Sequence, residues 1–282
     1  VVDITERVKA KEKIDQLASK LSRYLSPQVY QSIFSGKKNV KIEAYRKKLT
    51  VFFSDIKGFT EITDRLEPEV LSTLLNSYLN EMSKIALKYG GTIDKFVGDA
   101  ILIFFGDPET KGDKEDAYSC VLMALEMQAR MHHLKKLWEG QGITNPLEIR
   151  IGINTGYCNV GNFGSENRLD YTIIGGEVNL ASRLESNAMT GQILISQETY
   201  ALIKKHIVCE KKDEIKVKGI AHKIQTYQVV GSYKNIAQKR KILNEEFDGF
   251  NLNIDLNISQ KNKVITYLEN ILKQLKQDEK SN

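Results

Sequence analysis

The chain has 282 residues, 41% of them hydrophobic and 27% charged, the balance of a folded protein rather than a disordered one. Lys and Arg number 41 against 36 Asp and Glu, a mild excess of +5 with no basic run of five or six, so composition demands no nucleic-acid partner. No stretch approaches the roughly 20 consecutive apolar residues that cross a bilayer. The three cysteines, Cys120, Cys158 and Cys209, are too few and too scattered for a disulfide scaffold or a CxxC metal site, which leads us to expect a reducing, cytoplasmic setting.

The chain opens on VVDITER without an initiator Met, as a piece cut from a longer protein would. Residues 5–35 are charged and carry Ile14, Leu17, Leu21 and Tyr24 at heptad-like spacing, which predicts a helical linker or short coiled coil. The apolar run LTVFFSDI (49–56) reads as a buried strand ending in an acid. Residues 68–89 show a helical stripe that starts at Pro68 and stops at Gly90-Gly91. Two β-rich runs, 92–97 and 100–105, meet at Gly98-Asp99 as a hairpin. A second long helix spans 113–138, and strands are expected at 147–153 and 169–174. The stretch up to Gly191 reads as helical, and a strand–helix–strand series runs from 192 to about 230. Strands alternating with helices, interrupted by hairpins, predict an α/β or α+β sandwich with helices over a mixed sheet. Residues 233–282 turn polar and carry one alternating segment, 250–258, and one amphipathic helix, 263–276: a strand-plus-helix extension.

Two groups of polar residues carry chemistry. Asp55 ends a buried strand and Asp99 sits at the turn of the next hairpin. A carboxylate there is costly without a cation, and two together make an oxygen-rich site suited to Mg²⁺, which takes one or two protein carboxylates and completes its shell with water and phosphates. The bland reading, that each acid caps a turn on its own, has equal weight on spacing alone. Asn179 and Arg183 are four apart and share a helix face. An amide and a guanidinium side by side suit a phosphate or a developing negative charge, although a surface Arg paired with an acid is the commoner case. The Gly-rich segment 161–168 lacks GxxxxGK[ST] and reads as a hairpin turn. Trp138 and the His132-His133 pair sit at ordinary helical spacing, as core or solvated face.

The segments FFSDIKGFT (52–60), GGTIDKFVGDAILIFFG (90–106), EIRIGINTG (148–156), GNFGSENRLDYTIIGGEVNLASRLE (161–185) and GQILIS (191–196), in that order, resemble the successive motifs of class III nucleotidyl cyclases. The likeness covers roughly residues 22–230. It implies an α+β, ferredoxin-like palm: a mixed, mainly antiparallel sheet covered by helices, preceded by a helical linker. The boundaries expected from it are 14–48 for the linker, 49–232 for the catalytic domain and 233–282 for the extension. Residues 1–13 resemble the closing strand and exit helix of a PAS-type sensor, so an upstream sensor domain is expected in the full protein.

By the same resemblance, Asp55 and Asp99, with the backbone of Ile56, match the ligands of two Mg²⁺ or Mn²⁺ ions, one activating the ribose 3′-hydroxyl and the other neutralising the triphosphate. Asn179 matches the ribose-positioning amide and Arg183 the guanidinium that steadies charge on the α-phosphate. Lys95 and Thr172 match the base-reading positions: Lys donates to adenine N1, and a Thr hydroxyl accepts from the adenine amino group. This pair places the chain with the bacterial adenylyl cyclases of the Lys/Thr subgroup, for which bicarbonate stimulation is an analogy. Lys218 and Lys223 are both candidates for a phosphate-binding residue of the last hairpin. The chain departs from many relatives at Gly175-Gly176-Glu177, where Gly-Asp is common, and at Tyr157, where some carry Arg.

In that family the acids and the Asn/Arg pair come from opposite subunits. A chain carrying both sets is expected to form a head-to-tail homodimer with two equivalent sites that convert ATP to 3′,5′-cyclic AMP and pyrophosphate. The alternatives are a guanylyl or relaxed-specificity cyclase and a catalytically silent nucleotide-binding module. A diguanylate cyclase is disfavoured by FVGDA in place of GGDEF.

Overall fold

The computed structural model describes residues 8–14, 16, 25–36, 41–140, 143, 147–216, 223–233, 242–247, 250–255 and 261–278. It divides into two compact units, Val1–Val230 and Gly231–Asn282. In the first, residues 8–14 are helical, whereas Leu17, Leu21 and Tyr24 of the expected seam lie outside the described residues. Helix α1 (Pro27–Phe34) starts at Ser26, whose hydroxyl accepts from the Val29 amide at 3.3 Å. Gln28 of α1 donates to the Gly91 carbonyl at 2.8 Å, docking the helix beside the hairpin that follows.

Strand β1 (Ala44–Ile56) is longer than the apolar run predicted. Its first half, AYRKK, is charged and partly exposed, and pairing with β4 (Ile149–Ser165) extends it: Ala44 lies opposite Gly161 and Ile56 opposite Ile149. After a five-residue helix α2 (Phe59–Thr63) comes α3 (Pro68–Tyr89), with the expected ends: Pro68 in its first turn and Gly90 left-handed at φ 84° past its last. Strands β2 (Thr92–Val97) and β3 (Ala100–Phe105) form the predicted hairpin. Helix α4 (Asp113–Gly140) is followed by β4, which continues twelve residues past the predicted end at 153, turning back at 166–167 into β5 (Arg168–Ile174). Then come α5 (Gly176–Asn187), β6 (Ile193–Ser196), α6 (Gln197–Ile203), β7 (Ile207–Lys211) and β8 (Thr226–Ser232).

The eight strands form one sheet in the order β2-β3-β1-β4-β6-β8-β7, with β5 paired to β4. Among the pairings with a defined register, β4–β6 is parallel and the others are antiparallel. This is the mixed, mainly antiparallel sheet expected. Alternation along the strands divides the core. Phe52, Ile56, Ile101, Ile103, Ile151 and Ile153 face α3 and α4, where Tyr78, Met82, Met123, Met127 and Trp138 are buried. Val51, Leu102, Phe104 and Val160 face the other way, toward Ala181 of α5. Gly152 permits that contact. A Cβ there would lie 2.1 Å from the Glu185 amide nitrogen and 2.3 Å from the Ala181 carbonyl oxygen, so only glycine lets α5 rest on β4.

In the second unit, β9 (Ile242–Phe247) and β10 (Phe250–Asp255) form an antiparallel hairpin, followed by α7 (Lys261–Asp278). The alternating segment and the helix were expected. The first strand of the hairpin, ILNEEF, was not: two adjacent glutamates interrupt its alternation. Among the described residues no helix is long and apolar enough to cross a membrane.

Candidate active site

Asp55 is the penultimate residue of β1 and Asp99 lies in the β2–β3 turn, which the β1–β3 pairing brings alongside. The Ile56 amide donates to Asp99 Oδ2 at 3.0 Å. The two carboxylates meet, and partial burial together with the neighbouring Asp55 raises the Asp99 carboxyl from 3.8 to about 6. The two acids thus lie side by side at the end of β1, where the charge of Asp55 makes Asp99 harder to ionise. Ile56 contributes its N–H to Asp99 and thereby orients one of the two acids.

Arg150, opposite Asp55 on β4, pairs with it at 3.0 Å and with Glu185 of α5 at 2.6 Å, and donates to the Ser186 carbonyl at 3.2 Å. Burial raises the Glu185 carboxyl and the Arg150 charge pulls it back. Arg150 therefore ties the end of β1 to the end of α5 and offsets part of the negative charge. Sequence reasoning passed over it, although its place in EIRIGI, two residues before a glycine that only a close helix requires, was a usable signal. Among the described residues no cluster of three or more His, Cys, Asp or Glu side chains gathers. Two close carboxylates are nevertheless the donor set Mg²⁺ uses when phosphates and water supply the rest.

Asn179 and Arg183 lie on α5, opposite the buried stripe Leu180, Ala181 and Leu184. Both are exposed. Neither side chain has a hydrogen-bond or ion-pair partner among the described residues, so Arg183 is not the paired surface arginine of the bland reading. No hydrogen bond or ion pair among the described residues links either of them to Asp55 or Asp99. Helix α5 is held at its start by Glu177, whose side chain crosses Gly156 and accepts from Asn154 Nδ2 at 2.7 Å. The departure at Glu177 is thus an anchor of the helix that carries Asn179 and Arg183.

Lys95 on β2 and Thr172 on β5 are brought together by Asp94. Thr172 Oγ1 donates to Asp94 Oδ2 at 2.6 Å, and Lys95 Nζ lies 3.2 Å from Asp94 Oδ1. Thr172 is buried and Lys95 is exposed. Lys95 borders a cleft of about 290 Å³ shared by α1, β2 and β5. Lys223 is exposed, next to the isolated bridge between Ile215 and Ile224. Lys218 lies outside the described residues.

Residues 40–231 match the sequence profile of the adenylate and guanylate cyclase catalytic domain. The chain is 34% identical over 228 residues to a terminal-differentiation-specific adenylate cyclase of Dictyostelium discoideum, covering 78% of this chain and 10% of that protein. It is 32% identical to adenylate cyclase 1 of Rhizobium meliloti, covering 67% of this chain and 28% of that one. Among solved structures, the adenylyl cyclase CyaB from P. aeruginosa is 64% identical, with a TM-score of 0.67 over 68% of this chain and 98% of that one. The guanylyl cyclase Cya2 is 36% identical, with a TM-score of 0.65 over 68% of this chain and 95% of that one. Motif order, the paired acids on the palm-like sheet and these likenesses agree: the chain belongs to the family of adenylate and guanylate cyclase catalytic domains.

Proposed function

We propose that this chain is an adenylyl cyclase that forms 3′,5′-cyclic AMP and pyrophosphate from ATP, in a homodimer whose two sites each draw on both subunits. The reading rests on one observation above all: Asp55 and Asp99 lie side by side at the end of β1, while Asn179 and Arg183 on α5 have no side-chain partner among the described residues. A second copy brings the missing half to each site. The resemblance to adenylyl cyclases, at 64% identity in one solved structure, supports the substrate.

In this reading Asp55 and Asp99 would hold two divalent cations, Mg²⁺ or Mn²⁺, which would supply charge to lower the cost of ionising the 3′-hydroxyl and to neutralise the leaving pyrophosphate. Asn179 fixes the ribose so that the 3′-oxygen lies in line with the α-phosphorus. Arg183 donates to the α-phosphate as charge gathers there; such a stabiliser contributes on the order of 10²–10³ in rate. The 3′-hydroxyl gives up its proton to solvent, the new bond joins O3′ to the α-phosphorus, the bond from that phosphorus to the α–β bridging oxygen breaks, and pyrophosphate departs with the electron pair. Lys95 and Thr172 read the adenine edge, and Lys223 or Lys218 meets the outer phosphates. In a longer protein the unit is the output of an upstream sensor, which fits the small share that it forms of its curated relatives.

The test is to incubate the purified chain with ATP or GTP and Mg²⁺ or Mn²⁺ and identify the product by mass. Cyclic AMP as the main product supports the proposal. A preference for GTP turns the reading to a guanylyl cyclase, as in the similar Cya2. Tight binding of a non-cyclisable ATP analogue with no product from either nucleotide identifies a silent module.

A further inference from the structure

Asp94 has no part in the chemistry described so far, yet it sits between the two residues assigned to the base. The register of β2 against β3 shifts between Ile93, opposite Ile103, and Lys95, opposite Leu102, so Asp94 is the extra residue of a β-bulge. In a regular strand Asp94 and Lys95 would point to opposite faces. A bulge re-aims them, and here Lys95 Nζ comes within 3.2 Å of Asp94 Oδ1. The Asp94 side chain is 1% exposed against 41% for Lys95. Its other oxygen accepts from Thr172 Oγ1 at 2.6 Å and from the Ile173 amide at 3.2 Å. The hydroxyl distance is that of a charge-assisted bond. Burial raises the Asp94 carboxyl, while Thr172, Lys95 and the Ile173 amide all favour its anion.

This arrangement answers a weakness in base reading by threonine. A hydroxyl carries one hydrogen and two lone pairs and rotates to suit its partner. A free Thr172 would accept from the adenine amino group or donate to guanine O6 with equal ease. Once its single hydrogen is given to Asp94, Thr172 can only accept. Adenine, with an amino donor and the N1 acceptor, matches an accepting Thr172 and a donating Lys95. Guanine presents the O6 acceptor and the N1–H donor, and mismatches both.

We propose that Asp94 is a positioning residue for base selection: its carboxylate fixes Lys95 and commits the Thr172 hydroxyl hydrogen, making threonine an obligate acceptor that rejects guanine. The proposal rests on the reading that Lys95 and Thr172 face the base.

The experiment compares kcat/KM for ATP and for GTP in the wild-type chain, Asp94→Ala, Asp94→Asn, and Asp94→Ala made on Thr172→Val. Asp94→Ala is expected to lower the ATP-to-GTP ratio about tenfold, through a gain with GTP and a higher KM for ATP. Asp94→Asn keeps an acceptor for Thr172 but has no charge for Lys95. It is expected to raise the ATP KM about fivefold while losing less of the ratio. On Thr172→Val, with no hydroxyl to direct, Asp94→Ala is expected to change the ratio by less than about twofold. A wild-type-like ratio in Asp94→Ala overturns the proposal, as does an equal drop with and without the Thr172 hydroxyl. If Asp94→Ala does not fold, an unchanged ratio and ATP KM in Asp94→Asn overturn it alone. A wild-type chain that cyclises neither nucleotide overturns the parent reading as well. An active, ATP-selective enzyme indifferent to Asp94 overturns only this one.

Discussion

Replacing Asp99 by Asn is predicted to abolish cyclase activity and yet make the protein more stable at alkaline pH. Folding raises the Asp99 carboxyl from 3.8 to about 6, first by burial and then by Asp55. A carboxyl whose folded value is raised favours the protonated form in the native state. Stability is therefore lost as pH climbs from about 4 through about 6, and the whole cost is present at pH 8. The difference between 6 and 3.8 corresponds to about 3 kcal/mol. Solvent reaches part of Asp99, and screening reduces the figure to about 1–2 kcal/mol. Asparagine keeps an acceptor for the Ile56 amide, whose bond to Asp99 is 3.0 Å, while removing the repulsion. For a unit of this size the expected gain is about 2–6 °C in Tm at pH 8, shrinking toward zero near pH 4. If the two acids hold a divalent cation as proposed, Mn²⁺ would offset the same repulsion, and it is expected to raise the Tm of the wild type and much less that of Asp99→Asn. Thermal melts at pH 4 and pH 8, with and without Mn²⁺, read all of this. An Asp99→Asn protein that melts lower than wild type at pH 8, or that gains as much from Mn²⁺, refutes the reasoning.

Asp55→Ala is expected to eliminate product formation from ATP while leaving the circular dichroism spectrum and the oligomeric state intact; persistent turnover contradicts its role toward the cations. Arg183→Ala, at an exposed position with no side-chain partner among the described residues, is predicted to lower kcat on the order of 10²–10³ with no change in Tm, and a Tm drop of several degrees would mark it as structural. Lys95→Glu combined with Thr172→Cys should move preference toward GTP, measured as the ratio of cyclic GMP to cyclic AMP; an unmoved ratio contradicts the base assignment. Gly152→Ala drives a methyl to within 2.1 Å of the α5 backbone, and a cost of about 1–3 kcal/mol in urea unfolding is expected, with loss of activity as Asn179 and Arg183 shift.

Much of the fold was legible because local signals and burial agreed. Pro68 and Gly90 bracket a stripe that packs on the sheet, and Gly98-Asp99 turns a hairpin whose second strand, AILIFF, is almost wholly buried. The first half of β1 was not legible, since Arg46, Lys47 and Lys48 give no apolar alternation and the strand exists there through its pairing with β4. The far half of β4 and the strand β9 were missed for the same reason: pairing, not propensity, makes them strands. At the site, the motifs exposed Asp55, Asp99, Lys95, Thr172, Asn179 and Arg183. Of the residues that hold these in place, Asp94, Arg150 and Glu185 stayed hidden, and Glu177 showed only as a departure from relatives. Their meaning comes from a bulge and from contacts across strands and helix that no local spacing records.

The division of each site between two chains is tested most directly by mixing two inactive proteins, Asp55→Ala and Arg183→Ala, after confirming that their subunits exchange. In a two-fold dimer, half of an equimolar mixture is mixed, and each mixed dimer has one site with intact acids from one copy and an intact guanidinium from the other. Recovery of about a quarter of wild-type cyclic AMP production is predicted. A mixture of fully exchanged subunits that stays as inactive as either parent would contradict it.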